Sequence, residues 1–228
     1  MEGRKQLLVI SAAVLAAMIL GSLWASFATP AGARIPIHWN VSGEIDGYGS
    51  KALGLSIGPV TVLFASALFA ALPKIEPRKQ HLIQSSKLYT AIWLCVLAIM
   101  SVVHVQVILA ATGLYTGSTR FGLALVGVMF ITIGNYLGKS RSTFLMGIRT
   151  PWTLSSELSW RKTHRLGGWL FVALGIAHIV TVFAAPKLLP VVIVGGIVAM
   201  LVVATVYSYL VWRTDPDRQT GSSTTPAR

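Results

Sequence analysis

Six long apolar runs organise the chain, at 7–27, 53–72, 88–113, 121–138, 166–185 and 188–212, and none contains Asp, Glu, Lys or Arg. At about 1.5 Å per residue, even the shortest would reach roughly 27 Å as a helix, close to the hydrocarbon thickness of a bilayer. Unbroken runs of this length predict helices and argue against an outer-membrane barrel, whose strands alternate over about ten residues. The pattern therefore predicts an all-α integral membrane protein built as a six-transmembrane-helix bundle. Two polar intervals, 28–52 and 139–165, are longer than a bundle needs for its turns, so specific chemistry is sought there first.

Composition supports the same class. Of 228 residues, 54% are hydrophobic and 11% charged, far below the charged quarter of a soluble domain. The mean hydropathy is +0.69. Disorder is excluded by the abundance of Leu, Ile, Val and Phe. The single cysteine, Cys95, lies within an apolar run and has no partner for a disulfide or thiolate metal site. Arg4 and Lys5 ahead of the first run suggest a signal peptide, but that run is longer than a signal core and similar runs follow, so a retained first helix is expected.

The formal net charge of +12 is distributed asymmetrically. With the N-terminus placed inside, only Arg34, Lys51, Arg120 and Lys187 fall outside, and every other residue among the 19 Lys+Arg falls inside. That bias predicts a multi-pass protein with both termini cytoplasmic. The cations sit in short clusters between spans, not on one exposed stripe, so direct nucleic-acid binding is not expected. The expected organisation is an N-terminal two-span module (1–72) with a structured outside loop (28–52), a basic cytoplasmic linker (73–87), a four-span region (88–212) with a cytoplasmic loop (139–165), and a disordered cytoplasmic tail (213–228).

The outside loop contains Pro36, His38, Trp39, Gly43, Glu44, Asp46 and Tyr48. Pro30 and Pro36 favour extended backbone before them. Ile35, Ile37 and Trp39 can then face one way, with Pro36 and His38 facing the other. Asp46-Gly47 reads as a turn. Trp39 and Tyr48 suit the headgroup level. A compact cap is expected, with Glu44 and Asp46 pairing with Arg34 or Lys51. One imidazole and two carboxylates lack a fourth ligand, so no metal site is assigned.

In the inside loop, Thr150-Pro151 ends any helix descending from the fourth span. Thr153 or Ser155 is expected to cap a new helix with Glu157 in its first turn. Glu157 and Arg161 are spaced i, i+4, and Trp160 and His164 share another face. This helix is expected to lie in the inner interface, anchored by Trp160, before the fifth span begins near Gly167. Gly147, Arg149, Thr150, Pro151 and Trp152 form a tight run in which Arg149 can stack on Trp152 or fork onto a carboxylate or lipid phosphate. Arg165 completes the basic set.

Within the spans the polar candidates are His104, Gln106, Asn135 and His178. Hydrogen bonds between helices are their plain reading, and a polar path of a small transporter or channel is the alternative. No GxSxG, HExxH, P-loop or paired acidic cluster is present, so neither an enzyme nor a cofactor is expected.

Two segments carry a family resemblance. IPIHWNVSGEIDGYGSK resembles the signature of a bacterial membrane module of unknown function, placed between its first two spans. GNYLGKSRSTFLMGIRTPWTLSSELSWRKTHRLGG resembles the SdpI-like family, named for the immunity protein against a sporulation-delay toxin; GIRTPWTL with Trp160, Thr163 and Arg165 is the specific part. The resemblance implies a bacterial plasma-membrane protein that protects its host from a secreted, membrane-active peptide toxin. It further implies a cytoplasmic helix-turn-helix repressor as partner, captured through the inner loop. A non-catalytic membrane scaffold is a further alternative.

Overall fold

The computed structural model describes residues 2–40, 44–114 and 120–218. Its order is α1 (Glu2–Ala28), β1 (Arg34–Trp39), β2 (Ile45–Ser50), α2 (Lys51–Ile75), α3 (Lys79–Gln84), α4 (Ser86–Ala111), α5 (Arg120–Leu137), α6 (Pro151–Leu154), α7 (Glu157–Ala184) and α8 (Leu189–Arg213). Helices α1, α2, α4, α5, α7 and α8 are long and apolar enough to cross a membrane. The chain is thus a multi-pass membrane protein, with one small hairpin added to the helical plan.

The helices pack as two groups, α1/α2/α4 and α5/α7/α8, joined where α4 meets α5. The first group is centred on Trp93, which stacks on Phe69 at 5.3 Å, meets Tyr89 edge-on, and donates from Nε1 to Ser11 Oγ at 3.0 Å. The second is held by backbone-to-backbone approach. A methyl group on Gly134 would lie 2.6 Å from the Gly168 carbonyl oxygen, and one on Gly175 would lie 2.6 Å from that of Gly127. Small residues at both levels let α5 and α7 touch along their backbones, where dispersion replaces the hydrophobic drive that is absent in lipid.

The hairpin caps one end of α2 and α4. It differs from the expected loop in three respects. Asp46 and Gly47 lie inside β2, and Gly47 pairs with His38. Asn40 and Glu44 close the hairpin instead, bonded to each other through backbone and side chain. Strand alternation is not kept either: Ile35 and Pro36 are both buried while Ile37 faces out, and register shifts fall on either side of His38. The charges also pair differently. Asp46 meets His38 Nδ1 at 2.5 Å, Arg34 donates to Tyr48 O, and Lys51 Nζ donates to Ser26 O and Thr29 O. Gly43 lies outside the described residues.

At the opposite end, the predicted interfacial helix is absent. α7 runs without interruption from Glu157, nine residues before the predicted start of the span. Its cap is Ser156, whose Oγ accepts from Ser159 N, while Thr150 caps the short α6 in a reciprocal pair with Thr153. Trp160 does not anchor an interface: it is fully buried, and Trp169, 67% exposed, is the outward indole of this helix. The tail expected to be disordered from Arg213 begins with a docked turn, in which Asp215 is buried and accepts a hydrogen bond from Ser156 Oγ.

Candidate functional site

The most elaborate polar construction lies at the Arg- and Lys-rich end of the bundle, where residues 139–156 are tied to three other parts of the chain. The first tie begins where α2 stops. Glu76, fully buried, receives the end of that helix, its N–H bonding Leu72 O. Its carboxylate accepts three backbone N–H groups: Arg78 (3.0 Å) and Phe144 (3.1 Å) on Oε1, and Leu145 (3.0 Å) on Oε2. Oriented backbone donors can hold a buried carboxylate without a cation in contact. Around it, the Arg78 guanidinium lies 4.6 Å over the Phe144 ring and donates to Ser142 Oγ and Leu154 O. His81 Nδ1 donates to Ser142 O at 2.7 Å, and Arg141 N donates to Ser85 Oγ. The segment expected to be only a basic linker therefore grips the loop.

The second tie is to α7. Trp160 and His164 stack at 3.8 Å and 18°. Trp160 Nε1 donates to Ser140 O, His164 Nδ1 donates to Trp160 O, and His164 Nε2 accepts from Ile148 N at 2.8 Å. The imidazole is thus the neutral tautomer, with one nitrogen donating and the other accepting. Gly147 makes this possible. Its φ is +109°, and a methyl group there would lie 2.5 Å from His164 Nε2 and 2.8 Å from the Trp160 ring.

The third tie is to α8. Thr150 Oγ1 and Ser208 Oγ are 2.9 Å apart, Ser159 Oγ donates to Ser208 O, and Trp152 packs on Tyr209 at 5.1 Å. Arg149 donates to Phe144 O at 2.7 Å instead of stacking on Trp152 or meeting a carboxylate. Pro151 opens α6. Glu157, Arg161 and Arg165 are exposed. The one ion pair among the described residues is His38–Asp46, so Glu157 and Arg161 do not pair. A cleft of about 720 Å³ lies among Arg78, His81, Glu157, Arg161 and Asp215.

The loop candidates from Gly147 to His164 thus converge on one folded knot. The hairpin candidates lie at the other end of the bundle. The intramembrane residues lie outside the knot. His104 Nε2 contacts Met18 O and Ser22 Oγ, and His178 Nε2 donates to Leu123 O. Gln106 lies beside Gly122, and Asn135 is exposed beside Lys139 and Arg165. Gln106 and His178 thus meet successive residues of α5, Gly122 and Leu123. Among the described residues no group of three or more His, Cys, Asp or Glu is placed to hold a metal.

Sequence reasoning missed Glu76, Arg78, Ser142, Ser208 and Asp215. A signal was present: only 7 Asp+Glu occur in the chain, and Glu76 and Asp215 follow the C-terminal ends of α2 and α8 by one and two residues.

Fold and site define a class, a multi-pass helical membrane protein with a hairpin at one end and a structured loop, tied to three elements, at the other. The model of the SdpI/YfhL protein family matches residues 139–210, which cover the loop of the knot, α7 and most of α8. The model of a domain of unknown function (DUF1648) matches residues 8–63, covering most of α1, the hairpin and the first half of α2. Immunity protein SdpI of Bacillus subtilis (strain 168) is 26% identical over 179 residues, 77% of this chain and 82% of that protein. These matches bear out the resemblance to the SdpI-like family. No solved structure matches the chain.

Proposed function

We propose that this chain is an immunity and signalling protein of the bacterial plasma membrane, with both termini in the cytoplasm. It protects its host from a secreted, membrane-active peptide toxin and reports toxin contact to a cytoplasmic helix-turn-helix repressor. The observation that carries the reading is the similarity to Immunity protein SdpI along most of both chains. The charge asymmetry supports the orientation, with the hairpin outside and the knot inside.

The geometry supports a route for the signal. α2 is one helix from Lys51, beside the hairpin, to Ile75, where Glu76 holds the loop amides of Phe144 and Leu145. A toxin that shifts the hairpin or α2 displaces that carboxylate, and the loop loses one of its three ties. A ligand acts this way only by binding one of two arrangements better than the other. The altered loop and its cleft then take up the repressor. Deletion and complementation test this: loss of the gene sensitises cells to the peptide, and the wild-type gene restores survival. Unchanged survival on deletion sinks the immunity reading. Normal survival with no change in repressor location on toxin addition sinks only the signalling part.

A further inference from the structure

A groove of about 710 Å³ runs down the outside of the bundle between α1 and α2, starting under the hairpin. Its lining is graded along the helices. At the hairpin end stand Lys51, Ser26 and Ser56; deeper in stand Leu15, Pro59 and Leu63. From Lys51 to Leu63 the helix rises roughly 18 Å, about half of a bilayer's hydrocarbon core plus the interfacial margin. The groove therefore has the depth of one leaflet, too short for a spanning peptide helix of about 20 residues.

The polar end carries a definite charge. The Lys51 ammonium donates to Ser26 O at 2.6 Å and Thr29 O at 2.9 Å, two neutral carbonyls near the end of α1. An ammonium has three protons, so one donor remains. Among the described residues no carboxylate forms an ion pair with it, since Asp46 is engaged by His38 and Glu44 by Asn40. A cation without a carboxylate partner, above an apolar trough one leaflet deep, matches an anionic head on an acyl chain.

We propose that the α1–α2 groove holds an anionic glycerophospholipid of the hairpin-side leaflet, with its phosphate at Lys51 and an acyl chain along Leu15, Pro59 and Leu63. The site is independent of the toxin reading. Native mass spectrometry of the full chain, released from mixed phosphatidylglycerol and phosphatidylcholine vesicles, tests it. The wild type retains one phosphatidylglycerol about fivefold in preference to phosphatidylcholine, the effect of one cation at a membrane surface. Lys51→Gln brings the ratio near one with the melting temperature kept within a few degrees. Leu63→Trp, which fills the trough and leaves Lys51 in place, reduces retention of both lipids. Equal retention of the two lipids by the wild type overturns the proposal, as does an undiminished preference in Lys51→Gln. Displacement of the lipid by inorganic phosphate alone would show that the acyl chain contributes nothing. A dimer without lipid would assign the groove to a second copy.

Discussion

Glu76→Ala removes the acceptor for three backbone N–H groups in one step. A buried donor left without a partner costs about 1–3 kcal/mol. Phe144 is exposed at its side chain, so water reaches part of that loop and the three penalties do not add in full; a loss of about 3–5 kcal/mol is expected. Glu76→Gln is the finer perturbation. It retains one oxygen for Arg78 N and Phe144 N but turns an amide N–H toward Leu145 N, for a loss of about 1–3 kcal/mol. Glu44→Ala, on the exposed hairpin, is the control and should stay within about 0.5 kcal/mol. The assay is thermal unfolding of the purified protein in lipid nanodiscs, followed by limited proteolysis of residues 139–150 at a temperature where the spans stay folded. Both Glu76 variants should melt earlier, in the order Ala then Gln, and be cut faster in that loop. Equal melting of wild type, Glu76→Gln and Glu76→Ala would refute the assignment of Glu76 as the residue that fastens the loop.

Other consequences are as direct. Gly147→Ala forces a side chain at φ +109° into contact with His164 Nε2; a loss above about 1 kcal/mol is expected in the same unfolding assay. Gly168→Leu drives a branched side chain into the Gly134 carbonyl, 2.7 Å from where its Cβ must sit. It should separate α5 from α7 and abolish disulfide cross-linking between cysteines placed on facing positions of those helices. Trp160→Phe keeps the stack on His164 but leaves Ser140 O without its indole donor, a loss of about 1 kcal/mol. A wild-type melting curve for that variant would show that the indole N–H contributes nothing.

The spans were legible because a bilayer imposes one constraint on composition over a fixed length, and six charge-free runs satisfy it. A structured cap was legible in the prolines and glycines of the hairpin, but its turn was not. Asp46-Gly47 has turn chemistry, yet Asn40 and Glu44 close the reversal by three mutual hydrogen bonds, and Gly47 is used to pair with His38. The inner loop misled for a related reason. Trp160 read as an interfacial anchor by type, but Ser140 O accepts from the indole and the Ile148 N–H is met by His164, from 20 and 16 residues away. Glu76 and Phe144 are 68 residues apart. No local pattern encodes such a tie; only the packing of α2 against α4, and α4 against α5, brings the two segments together.

The account rests on the knot and the hairpin facing opposite sides of the membrane, with the knot inside. Single cysteines at Tyr48 and Arg149, both exposed, in a Cys95→Ser background, test this with a membrane-impermeant maleimide on intact cells. The account predicts labelling of Tyr48→Cys in intact cells, and of Arg149→Cys only after lysis. Labelling of Arg149→Cys in intact cells, with Tyr48→Cys protected until lysis, would contradict it.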